Sequence, residues 1–152
     1  MDSAAATATW TEHTLRTLAG AGYRSSGARA EVIDGLAELG CSVTAREIAD
    51  LLRDKGSGVG LASIYRTLDL LDRLSLVQRF EVGEGVARYE PAHPGGDHHH
   101  HIVCDTCGKV EAFEDEGLER AIRSLSDRAS FGVAAHEVTL HGECPVCRAE
   151  TG

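Results

Sequence analysis

Apolar residues recur at helical spacing through the first half of the chain and at strand-like spacing through much of the second. Trp10, Leu15 and Leu18 make a loose helical stripe over residues 10–19, and Val32, Ile33 and Leu36 make another over residues 29–39. Thr44-Ala45-Arg46-Glu47 has the form of a capping box. The threonine hydroxyl can accept from the Glu47 N–H while the glutamate reaches back, opening a helix that carries Ile48, Leu51 and Leu52. Gly56-Ser57-Gly58-Val59-Gly60 ends it and turns the chain. A further helix follows with Ile64, Leu68, Leu71 and Leu74 on one face. Residues 76–82 and 86–90 then bracket Gly83-Glu84-Gly85, which predicts a β-hairpin.

Helix, glycine turn, helix and hairpin together predict a winged helix-turn-helix, although an ordinary helical hairpin shares the periodicity. In that reading the helix after the glycine turn is the reader. Ala62, Ser63, Tyr65 and Arg66 lie on its side away from the apolar stripe, with Arg66 suited to a guanine or a phosphate. Pro91-Ala92-His93-Pro94-Gly95-Gly96-Asp97 breaks the pattern and reads as a hinge. Beyond it, residues 99–104, 110–113 and 134–140 are strand-like, and Leu118, Ile122 and Leu125 mark a helix before the last of them. The expected fold is therefore α+β. Residues 1–90 form a winged-helix DNA-binding domain, residues 91–97 the hinge, and residues 98–152 a small α/β domain that carries the metal ligands.

The chemistry concentrates in that second part. His98, His99, His100 and His101 run directly into Ile102-Val103-Cys104, with Cys107 three residues on, and Cys144-Pro145-Val146-Cys147 answers near the end. Two Cys-x-x-Cys pairs can close a tetrahedral thiolate cage around one Zn²⁺. An extended strand alternates its side chains, so His98 and His100 face one way, His99 and His101 the other, serving two further metal positions. An expression tag would sit at a terminus, and a thioredoxin-like redox pair would need a βαβ context that Cys104 lacks. With no apolar signal stretch at the start, a reducing cytoplasm is the expected compartment, where disulfides are disfavoured.

Composition narrows the partners. The chain has 152 residues and a formal net charge of −9. Residues 1–91 hold 10 Lys+Arg against 13 Asp+Glu, and residues 92–152 hold 5 against 11, so the acidic excess lies mainly in the metal-bearing part. That balance argues against indiscriminate nucleic-acid binding but leaves room for a local basic face. No apolar run is long enough for a membrane span. A zinc enzyme is the first rival function. His141-Gly142-Glu143 followed by Pro145 and Cys147 has the residues of a nucleobase deaminase signature, but in the wrong order, and four cysteines leave a zinc no open position. The second rival, a zinc-ribbon protein-binding module, does not account for the winged-helix pattern. No small-molecule substrate is expected.

These motifs together resemble the ferric uptake regulator (Fur) superfamily of dimeric, metal-sensing bacterial repressors. The resemblance rests on residues 21–24 (Ala-Gly-Tyr-Arg), 59–68, 87–90 (Ala-Arg-Tyr-Glu), 98–110 and 141–147. It implies a homodimer, with residues 98–152 as the metal-binding dimerisation domain, that binds an A/T-rich pseudo-palindromic operator in double-stranded DNA. Carried over by residue, it makes Cys104, Cys107, Cys144 and Cys147 structural zinc ligands. It makes Glu90, His99 and His101 a sensing site, and His98, His100, Glu119 and His136 an additional site. Arg24, Ser63, Tyr65 and Arg66 become DNA contacts. Ser42 stands where many relatives supply a histidine, with Cys41 beside it, and Ala92 stands where zinc sensors often have a cysteine. The regulatory ion is then Zn²⁺ or Fe²⁺, and a fourth ligand could come from Cys41, His93, Gln78 or water. Against these readings, Cys41 also fits a small buried hydrophobe, His93 a solvated hinge residue and His136 a core histidine, with His13 and His141 at the surface. The acidic run around Asp115 reads as a solvated face.

Overall fold

The helical stripes of the first half close on one core. Helices α1 (Ser3–Gly20), α2 (Gly27–Leu39), α3 (Ala45–Asp54) and α4 (Leu61–Arg73) precede an antiparallel hairpin of β1 (Val77–Val82) and β2 (Val86–Pro91). The computed structural model describes residues 3–24, 26–40, 42–82, 85–92 and 99–152, and it divides into two units, residues 1–97 and 98–152. In the first unit Trp10, Val32, Ile33, Leu36, Ile48, Ile64, Leu68 and Leu71 are fully buried together. The Trp10 indole is satisfied inside this core, since its Nε1 donates to the Leu76 carbonyl at 2.8 Å. Helix α1 starts well before the apolar stripe at Trp10, because its alanine-rich first turns supply helix propensity without periodicity.

The capping box forms in both directions. Glu47 N–H donates to Thr44 Oγ1 at 3.1 Å, and Thr44 N–H donates to the Glu47 carboxylate at 2.8 Å. Just before it, Val43 and Tyr89 exchange two backbone hydrogen bonds of 2.8 Å, fixing the start of α3 to strand β2. Helices α3 and α4 with the β1–β2 hairpin make the winged helix-turn-helix.

The second unit is a three-stranded sheet in the order β4-β3-β5. Strand β3 (His100–Cys104) is central, β4 (Val110–Phe113) runs antiparallel to it and β5 (Thr139–Gly142) parallel. A parallel neighbour requires a long connection, which β4 and α5 (Glu116–Ala129) supply. Strand pairing begins at Thr139, later than the pattern over 134–140 predicts. Val138 is used otherwise: its N–H donates to His100 Nδ1 at 3.2 Å and its carbonyl accepts from His101 N–H at 3.1 Å. Ala134 and Ala135 add little strand propensity of their own. A short α6 (Pro145–Thr151) ends the chain; Pro145 at its first position is a start signal that the sequence reading passed over.

Little holds this unit together internally. Among its described residues Val103 is the one buried aliphatic side chain, alongside buried Cys104, Cys147, His100 and His101. Helix α5 is capped by Asp115, whose carboxylate accepts from Leu118 N–H at 2.7 Å, yet it buries none of its residues. Leu125, Phe131, Val133 and Leu140 are all exposed.

Candidate metal centres

Each cysteine pair is shaped by local backbone. Cys104 ends β3, and the turn after it closes when Gly108 N–H donates to the Cys104 carbonyl at 2.8 Å. Gly108 has φ +77°, a left-handed conformation costly for any side chain, and it lets the turn lead straight into β4. Cys144 is the N-cap of α6 and Cys147 lies three residues on, so both sulfurs meet one point. All four Sγ atoms lie within 4.8 Å of one another, with Cys107 and Cys144 at 3.8 Å. A Zn–S bond of about 2.3 Å sets tetrahedral corners about 3.8 Å apart, so the donor set fits a zinc ion.

The backbone also favours thiolate. Cys144 and Cys107 direct their N–H groups at Cys104 Sγ, at 3.3 and 3.5 Å, and this pulls its pKa down to about 6. Cys147 is pushed up, chiefly by its side-chain hydrogen bond with Cys144. Two pairs brace the turns in ways that sequence reasoning missed. His141 Nδ1 lies 3.0 Å from Asp105 Oδ1, and Thr106 Oγ1 donates to Glu143 at 3.3 Å. Their signal was position, since each pair joins a residue of the first turn to one just before Cys144.

A second cluster gathers around Glu119 on α5. One carboxylate oxygen lies 2.6 Å from His100 Nε2 and the other 2.9 Å from His136 Nε2. His100 Nδ1 accepts from Val138 N–H, so a neutral ring carries its proton on Nε2, against the carboxylate. Imidazole and carboxylate donors suit a divalent ion, which would take the place of that proton. His136 lies outside any strand and is half-buried, not a sealed core residue.

On the other side of the strand, the His99 and His101 rings meet edge-on with centroids 5.2 Å apart, and His101 is buried. Glu90 is a buried residue of β2 in the first unit, where Gln78 faces it across the ladder. Cys41, His93 and His98 lie outside the described residues.

Helix α4 has one exposed and one buried face. Ala62, Tyr65 and Arg66 are exposed and Ser63 is half-buried, while Ile64, Thr67 and Leu68 turn to the core. Arg66 Nη2 donates to Ser63 Oγ at 3.1 Å, aligning the guanidinium along the helix. Arg24 is exposed in the turn after α1.

The ferric uptake regulator family model matches residues 20–141. The chain belongs to the ferric uptake regulator family. Among curated members it is 37% identical over 106 residues to the ferric uptake regulation protein of Bacillus subtilis (strain 168), covering 69% of this chain and 71% of that one. Its fold matches the Vibrio cholerae ferric uptake regulator at 28% identity and TM-score 0.73, over 85% of this chain and 98% of that one. It also matches the Helicobacter pylori Fur, whose structure is described as revealing three functional metal binding sites. There the identity is 25% and the TM-score 0.77, over 93% of each chain. As a family member the chain is a metal-dependent transcriptional regulator and not an enzyme. Among the described residues no helix is long and apolar enough to cross a membrane.

Proposed function

We propose that this Fur-family protein is a cytoplasmic, homodimeric repressor of metal-uptake genes, and that the metal it senses is zinc. The carrying observation is how one strand distributes its donors. His100 meets Glu119 and His136 on one face, His99 and His101 meet on the other, and Cys104 begins the cysteine cluster at its end. In this reading Cys104, Cys107, Cys144 and Cys147 hold a structural zinc. Glu90, His99 and His101 hold the regulatory ion, and His98 joins His100, Glu119 and His136 at an additional site. Three donor sets in one chain accord with the three sites described for the Helicobacter pylori relative.

Glu90 precedes the 91–97 segment and His99 follows it, so an ion bound by both would tie the wing to the second unit. A coupling of about 1–3 kcal/mol per site changes DNA affinity several-fold or more. Arg24, Ser63, Tyr65 and Arg66 contact the operator, an A/T-rich pseudo-palindrome read by one winged helix per half-site. The exposed apolar residues of α5 and the segment after it support dimerisation through the second unit. Two imidazoles and a carboxylate bind zinc more tightly than iron or manganese in the general affinity order. Iron is the second reading, favoured by the ferric name of the Bacillus subtilis relative.

The test is operator binding titrated with buffered Zn²⁺, Fe²⁺ and Mn²⁺, in the wild type, His99→Ala and Arg66→Ala. Zinc should activate the wild type. His99→Ala should lose the metal response but keep one tightly held zinc, and Arg66→Ala should weaken binding about tenfold or more at unchanged metal content. Activation by Fe²⁺ with no response to Zn²⁺ beyond the cysteine site replaces zinc with iron. Equal binding with and without metal rejects the switch.

A further inference from the structure

The turn that presents Arg24 is fixed at both ends, and a second arginine lies across it. Helix α1 ends in a Schellman motif: Tyr23 N–H donates to the Leu18 carbonyl at 2.9 Å and Gly22 N–H to the Ala19 carbonyl at 3.1 Å. Gly22 takes φ +85°, which the motif requires. At the other end Ser26 caps α2 by accepting from Arg29 N–H at 3.1 Å. From the first turn of α2 the half-buried Arg29 side chain reaches back. Its Nη1 donates to the Arg24 carbonyl, and its guanidinium stands 5.8 Å from the centre of the Tyr23 ring. A cation in the first turn opposes the helix dipole, which favours acidic residues there. The planar guanidinium, able to bond a carbonyl and approach an aromatic face at once, is what this position uses.

We infer that Arg29 is a positioning residue for DNA recognition: it holds residues 22–24 so that Arg24 meets the duplex in one conformation. The inference rests on the proposed DNA contact of Arg24 and assigns Arg29 no contact of its own. Without Arg29 the Arg24 carbonyl loses its donor and Arg24 samples many directions, so its contact with DNA forms at an entropic cost.

The experiment is a double-mutant cycle on the metal-loaded protein, using a duplex that the wild type selects from a random pool, with anisotropy titrations over a range of salt. Arg24→Ala should weaken binding about tenfold and lower the salt slope by about one phosphate contact. Arg29→Ala should weaken binding about fivefold with the same loss of slope, and the double variant should bind no worse than Arg24→Ala. Arg29→Lys keeps the charge but not the planar fork, and should resemble Arg29→Ala, with melting followed through Trp10 unchanged. Wild-type affinity in Arg29→Ala, recovery in Arg29→Lys, or losses that multiply in the double variant would each overturn the positioning role. If Arg24→Ala binds like the wild type, the Arg24 contact itself is wrong and this role goes with it.

Discussion

Replacing Cys144 by serine removes one sulfur and little else. The backbone N–H that Cys144 directs at Cys104 Sγ survives, as does its place before Pro145, but a hydroxyl replaces a thiolate at one corner of the cage. Structural zinc in small modules is worth about 10–16 kcal/mol, so a quarter share is about 2.5–4 kcal/mol, or roughly a 10²–10³-fold loss of affinity. The unit has little to offset this, because burying the single aliphatic Val103 supplies about 1.5–3 kcal/mol. The first unit keeps its own core around Trp10, Ile33, Leu36 and Leu68. Spectroscopy can separate the two. The lone tryptophan and all three tyrosines, Tyr23, Tyr65 and Tyr89, belong to the first unit. Cys144→Ser should therefore yield its zinc to a competing chelator that the wild type resists, and lose far-UV signal in an early thermal transition that Trp10 emission does not see. Amide exchange at Cys104, whose N–H donates to the Lys109 carbonyl at 2.8 Å, should accelerate. A variant that retains zinc, or one in which both signals melt together at the wild-type temperature, would show that the cysteines do not hold this unit.

Two further outcomes follow from the same unit. Leu125→Glu places a charge on the exposed face of α5, 58% accessible in the chain, and should shift the protein from dimer to monomer in sedimentation while leaving bound zinc unchanged; a variant that remains fully dimeric excludes this face. The depressed thiol of Cys104 favours the thiolate in the metal-free cage: its contribution is complete above the ordinary thiol range and is lost as pH falls through about 6. Protons compete with zinc for the sulfurs, so zinc affinity should weaken steadily as pH falls, and an affinity that stays flat from neutral pH to a unit below that value contradicts the thiolate assignment.

What could be read from the sequence was whatever short-range chemistry dictates. The capping box at Thr44 and Glu47, the buried stripe of α4 and the two cysteine pairs are each set within a few residues, and each forms. Strand alternation also separated His100 from His99 and His101 before any coordinates. Long-range pairing was less legible. The parallel register of β3 with β5 depends on a connection of more than thirty residues, and the diversion of Val138 to the His100 ring leaves no trace in residues 134–140. That Glu119 bridges His100 and His136 came from family resemblance, because its place on a solvated helix gives no local hint. Helix α1 began early for a related reason: alanine favours a helix without marking a face.

Strand β3 also constrains how such a gene can change. Its five residues, with His99 just ahead, present imidazoles to both faces and finish in a cage ligand. Inserting or deleting one codon there would reverse the facing of every side chain beyond it and displace Cys104. On the proposed assignment a single frame-preserving event would disturb three donor sets together, so this strand should tolerate substitution more readily than a change of length.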